Sequence, residues 1–151
     1  MMHLLRATTT AFSVAGLITI ALNSASHVTP SHSSAPAPAM RATITVKMTG
    51  DAKGYRYEPS TINAKAGDEI TFTNAMGGPH NVTFKAEEIP AGMATVLQGD
   101  MPKASAPLTS PLFETDGESW TMTTTGLKPG TYPFYCMPHA PLGMKGQLVI
   151  Q

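Results

Sequence analysis

A chain with one cysteine cannot close an internal disulfide, so Cys136 is a free thiol, half of an intermolecular bridge or a metal ligand. Charge is scarce as well. Charged residues are 13% of the sequence, ten basic against ten acidic, and no run of one sign marks a nucleic-acid or membrane-surface partner. Long apolar runs are missing too: Ala7–Leu22 falls short of the ~20 residues of a spanning helix and carries Thr8, Thr9, Thr10 and Thr19. No cysteine lies near residue 26, which excludes lipid attachment at a processed N-terminal cysteine.

What is present begins with a layout of export. Met1–Arg6 holds one positive charge, Ala7–Leu22 holds none, and the small residues Asn23–Ser26 follow, as in a secretory signal. Residues 1–26 therefore read as a signal peptide, with retention as an uncleaved anchor the alternative. Its removal leaves nine basic against ten acidic residues. Residues 27–40, HVTPSHSSAPAPAM, are too rich in Pro, Ser and Ala to bury a core and read as a flexible leader, with His27 and His32 solvated. Export favours the ligand reading of Cys136, because a bare thiol is a liability in an oxidising compartment.

From residue 41 to 151 the pattern is that of one β domain. Short runs at 42–48, 55–65 (broken by Pro59), 69–74, 80–85, 120–125, 130–136 and 146–151 are separated by turn signals such as Thr49-Gly50-Asp51, Ala66-Gly67-Asp68 and Lys128-Pro129-Gly130. That spacing predicts an all-β sandwich. The segment 86–119 predicts a surface excursion, with one short helix around 91–98. The period of two assigns faces: Ile70 and Phe72 inward; Val82 and Phe84 inward with His80 in the same parity; Tyr132 and Phe134 inward with Cys136. Trp120 and Met122 share a face. If the strands carrying His80 and Cys136 run antiparallel, the start of one meets the end of the other, and both side chains reach one end of the sandwich.

The chemistry concentrates in Tyr135-Cys136-Met137-Pro138-His139-Ala140-Pro141-Leu142-Gly143-Met144, where CxxHxxxxM puts a thiolate, an imidazole and a thioether in one loop. Pro138 stiffens the turn between Cys136 and His139, and Gly143 and Gly146 free the chain to return over the site. With His80 added, the set Cys, His, His and a weak axial Met suits copper in electron transfer. The bland alternative makes Cys136 a small buried hydrophobe, His80 and His139 loop residues and Met144 packing. A Cys–His nucleophile pair is a further option, but no third group is visible to orient the base. Met40, Met48, Met76, Met93, Met101 and Met122 form no clustered pattern and read as core or surface residues.

With Glu58-Pro59, Ala66-Gly67-Asp68, Pro79-His80-Asn81-Val82, Pro129-Gly130-Thr131-Tyr132 and Tyr135-Cys136 followed by the CxPHxxxxM loop, residues 44–151 resemble the plastocyanin/pseudoazurin-like branch of the cupredoxins. The resemblance implies an eight-stranded Greek-key β-sandwich with one type 1 copper ion near one end. It implies His80, Cys136, His139 and Met144 as ligands, with Tyr135 beside a ligand and Pro138 in the ligand loop. Asn81 is implied to support the centre, its backbone N–H aimed at the Cys136 sulfur and its side chain tying the two ligand strands. Met137 departs from the serine common in plastocyanins, so only its backbone amide is left for that tie.

The function so implied is an exported blue copper protein, in the periplasm or an equivalent space, that cycles Cu(I)/Cu(II) to carry single electrons and is not an enzyme. Redox proteins are the expected partners, docking on an uncharged patch around His139, Pro141, Leu142 and Pro79. A monomer is expected, with no nucleic acid and with membrane contact only through a partner or a retained anchor. Copper storage or delivery is the alternative, and the enclosed thiolate argues against it. An oxidase with a second copper centre would need more histidines, and three of the five precede residue 33.

Overall fold

The computed structural model describes residues 40–101 and 106–151. The signal expected at 1–26 and all of the leader except Met40 lie outside the described residues. Among the described residues, eight strands form two four-stranded sheets. The first is ordered β2-β1-β4-β6 and contains β1 (Thr43–Asp51), β2 (Gly54–Glu58), β4 (Glu69–Met76) and β6 (Ser119–Thr123). The second is ordered β3-β8-β7-β5 and contains β3 (Thr61–Ala64), β5 (Thr83–Phe84), β7 (Gly130–Tyr135) and β8 (Lys145–Ile150). β1 runs parallel to β4 and β3 parallel to β8; the other pairings are antiparallel.

Alternation is cleanest where one face is buried and the other wet. In β4, Ile70, Phe72 and Asn74 are buried while Glu69, Thr71 and Thr73 are only half-buried. Ile70 pairs with Met122 and Phe72 with Trp120, whose rings stack at 5.8 Å. Trp120 is thus on the core face as expected, but half-buried, with its indole N–H donating to the Asp100 carbonyl. Tyr57, Phe72, Phe84 and Phe134 interlock edge to face inside the sandwich, a geometry that adds ~0.5–1.5 kcal/mol per pair to the burial itself.

Two expectations change. The strand predicted over 80–85 shrinks to Thr83–Phe84, and every residue from His80 to Phe84 is buried. Parity therefore does not define a face there. The reason lies in the segment 86–119, which is more than a surface excursion. Its helix, α1 (Ala94–Gly99), buries Leu97, with Met93 and Met101 buried at its ends. Its return then lies along residues 80–84: Phe84 N–H donates to Leu108 C=O, Ser110 N–H to Val82 C=O, and His80 and Phe113 exchange both backbone bonds. Leu108, Thr109, Ser110 and Phe113 are buried by this packing. The methionines divide accordingly, with Met48, Met93, Met101, Met122 and Met144 buried and Met40, Met76 and Met137 exposed.

Gly146 is needed for space rather than for a left-handed backbone. A Cβ there would run into the Phe134 ring and approach the Ser60 carbonyl to 2.9 Å. Gly146→Ala should destabilise the domain by about 1–3 kcal/mol, as overpacking of a filled core does. Denaturant titration is the check, and an unchanged midpoint would mean that Phe134 has room to move.

Candidate metal centre

The centre is built at the end of the sandwich where β5 enters and β7 leaves. Thr83 pairs with Tyr135 and Phe84 with Phe134, antiparallel, so the chain just before β5 meets the chain just after β7. That brings His80 within reach of Cys136. The His80 Nδ1 lies 3.9 Å from the Cys136 Sγ and the His139 Nδ1 lies 3.4 Å from it. Among the described residues, these three form the group whose donor atoms all lie within 4.8 Å of one another. All three are buried.

The loop that follows β7 is closed by its own backbone. His139 N–H donates to Cys136 C=O across the Met137-Pro138 turn, and Leu142 N–H donates to His139 C=O in the 3-10 turn Ala140–Leu142. Gly143 then takes φ of +84°, a left-handed conformation that suits glycine. Met144 N–H donates to His139 C=O, and Met144 C=O accepts from Cys136 N–H. The fully buried Met144 is thereby tied to both donor residues of the loop.

Around the three donors the orientation of each ring is determined. The His80 Nε2 is 3.1 Å from the Met76 carbonyl, so Nε2 carries the proton and Nδ1 presents its lone pair to the sulfur. Met76 is placed by a close backbone approach: a Cβ on Gly77, whose φ is +76°, would strike the Gly50 backbone. Tyr55 stacks on His139 with centroids 3.7 Å apart and planes 13° from parallel. Gly50, paired with Tyr55 across β1 and β2, makes room for that ring. Asn81 accepts the Met137 N–H at its Oδ1, at 2.7 Å.

Sequence reasoning missed Tyr55, Tyr57 and the Met76 carbonyl. The alternation of β2 was a usable signal, since Tyr55 and Tyr57 share its face. Tyr135 is half-buried on the outer side of β7, with the Lys85 ammonium 5.6 Å from its ring centroid. Pro138 is exposed in the turn.

Burial raises the pKa of the Cys136 thiol, opposed by the Asn81 and His139 amides. Burial lowers both imidazoles, with the Met76 carbonyl opposing at His80 and the nearby His80 adding to the effect at His139. Neutral imidazoles with inward lone pairs beside a sulfur, and no carboxylate among them, match a soft metal of the copper kind. A two-sheet sandwich with this donor set at one end defines a cupredoxin, a type 1 blue copper protein.

The comparisons specify the family. The profile of the copper-binding proteins of the plastocyanin/azurin family matches residues 42–151, and the chain belongs to that family. Plastocyanin A/B of Petroselinum crispum is 39% identical over 105 residues, which are 70% of this chain and 97% of that one. The chloroplastic plastocyanin of Silene latifolia subsp. alba is 40% identical over 97 residues, 64% of this chain and 53% of that one. In three dimensions, the oxidised plastocyanin of Dryopteris crassirhizoma aligns with a TM-score of 0.53 at 32% identity, over 71% of this chain and 99% of that one. A Sinorhizobium pseudoazurin aligns at 0.50 and 26%, over 73% and 74%. The cofactor of this cupredoxin is one type 1 copper ion.

A pH dependence follows from the lowered imidazole pKa values. The unfolded chain protonates His80 and His139 near the ordinary value of about 6.5, whereas the folded, metal-free protein takes those protons only at lower pH. Between the two values the unfolded state binds more protons, so stability is present above ~6.5 and is lost as pH falls through this window. Denaturant midpoints of the metal-free protein should therefore drop between pH 7.5 and 5. A flat profile would mean that the two rings are already hydrated.

Proposed function

We propose that the chain is an exported one-electron carrier whose copper is held by His80, Cys136 and His139, with Met144 as the weak axial ligand. The observation that carries this reading is the buried trio of donor atoms within 4.8 Å of one another, each oriented by the protein. Copper bound there supplies a one-electron couple, Cu(I)/Cu(II). The chain's own part is to keep the donors in one arrangement for both oxidation states. The Met76 carbonyl fixes the His80 ring, Tyr55 holds His139 flat, and the Asn81–Met137 bond joins the two segments. Small rearrangement on electron gain or loss makes transfer fast.

Electrons would enter and leave at the His139 end. Leu142 is 62% exposed, Met76 46% and Met137 45%, and Pro79 and Pro141 are exposed among them. Residues 76–81 and 137–144 contain no Asp, Glu, Lys or Arg. An uncharged apolar patch of this kind suits brief encounters with redox proteins. Export into the periplasm or an equivalent space is supported by the composition of residues 1–26. We take the carrier to be monomeric, with the patch free to meet successive partners.

Three experiments test the reading. Copper(II) added to the wild type should give an intense blue from thiolate-to-metal charge transfer, and Cys136→Ser should abolish it. Met144→Leu should stay blue and raise the potential, while Met144→Gln lowers it; equal potentials in all three would remove Met144 from the axial position. For docking, Leu142→Glu should slow reaction with the physiological partner several-fold, with colour and potential nearly unchanged. Stopped-flow rates across ionic strength are the measure. A steep salt dependence in the wild type, or an unimpaired variant, would place the contact on a charged face elsewhere.

A further inference from the structure

Tyr57 lies in β2, with its ring packed edge-on against Phe134 at 4.8 Å and Phe72 at 6.2 Å. Phenylalanine would satisfy that packing, and burying a hydroxyl is unfavourable unless it finds a partner. The Tyr57 hydroxyl crosses the interior to the other side of the sandwich and donates to the Asn81 carbonyl at 2.6 Å, in a buried bond. Asn81 also takes the Met137 N–H on its side-chain Oδ1 at 2.7 Å, one residue from Cys136, and its backbone amide acts to lower the Cys136 thiol pKa.

His80 gives and takes one bond each with Phe113. Val82 N–H donates to the Ser110 Oγ, and Val82 C=O accepts from Ser110 N–H. Between them, the Asn81 C=O accepts from the Tyr57 hydroxyl. The carbonyls of His80, Asn81 and Val82 and the N–H groups of His80 and Val82 are thus all paired, as buried groups require. All but one of these partners come from residues 110–113; the exception is the Tyr57 hydroxyl.

Building on the copper reading above, we propose that Tyr57 is a positioning residue for the metal centre: its hydroxyl holds Asn81 so that the Asn81 N–H stays on the Cys136 sulfur and keeps the reduction potential high. An N–H donated to a thiolate withdraws charge from the sulfur and weakens its donation to copper(II). Loss of that bond favours the oxidised form. The phenol acts through Asn81 and touches neither copper nor a redox partner.

The test compares Tyr57→Phe with Tyr132→Phe in the full protein. Tyr132 is an equally buried core tyrosine whose hydroxyl donates to the Lys128 carbonyl at 2.7 Å, away from the centre. Both variants should lose stability. Only Tyr57→Phe should lower the potential and shift the thiolate-to-copper band. In the metal-free protein it should also speed exchange of the Asn81 amide by roughly tenfold, the loss of about one hydrogen bond, relative to Tyr132→Phe. Potential and exchange alike in the two variants would overturn the proposal and leave Tyr57 a packing residue. Should Tyr57→Phe not fold, the wild type loaded with NMR-active cadmium decides: coupling of the metal to the Asn81 amide proton through the sulfur is expected, and its absence refutes the proposal. A wild type that takes up copper without turning blue would defeat the copper reading instead, while the metal-free exchange experiment would still report on Tyr57.

Discussion

The antiparallel pairing of β5 with β7 turns two residues 56 positions apart in the chain into neighbours at one site. Everything chemical in the molecule depends on that register. A one-residue slip of β5 would carry His80 away from Cys136, because β7 is itself held by six pairs with β8 and successive side chains of a strand point to opposite faces. The pairing itself is only two residues long. It is held from both sides, by the Phe134 cluster within the sandwich and by the 108–113 segment against its outer edge.

Holding donors in place without metal has a cost, which the rest of the structure offsets. A thiol and two imidazoles are buried together, and each is displaced toward its neutral form by that burial. Backbone groups compensate: the Met76 carbonyl favours protonation of the His80 ring, and the Asn81 and His139 amides act to lower the thiol pKa. Aromatic packing completes the arrangement. Tyr55 and Tyr57, two residues apart on one face of β2, serve the centre in different ways, the first by stacking on His139 and the second by bonding the Asn81 carbonyl. β2 thus supports the site although it contributes no ligand.

The same end of the molecule combines enclosure with exposure. His139 is only 8% exposed, yet it is followed by Pro141 and Leu142 at the surface. Its ring is buried between Tyr55 and the interior, so the route outward is short while water is kept from the sulfur. Residues 76–81 and 137–144 at this end carry no Asp, Glu, Lys or Arg, and the charge that acts on the centre is that of Asp116, which favours the protonated form of His80.

The local chemistry was legible in the sequence because it depends on spacing along one loop. CxxHxxxxM places Cys136, His139 and Met144 together in any fold that closes the loop, and the alternation in β4 and β7 identified Ile70, Phe72, Tyr132 and Phe134 as core residues, all of them buried. The placement of His80 beside Cys136 was legible as a condition, namely that the two strands run antiparallel. What only the tertiary structure decided are the contacts between segments whose separation carries no period. These are the return of 108–113 along the ligand segment, the Gly50–Gly77 approach that seats the Met76 carbonyl, Tyr55 on His139 and the Tyr57 hydroxyl on Asn81. Periodicity says which face a side chain takes; which neighbour it meets there depends on sheet order, register and the path of loops, and these are settled by packing of the whole core.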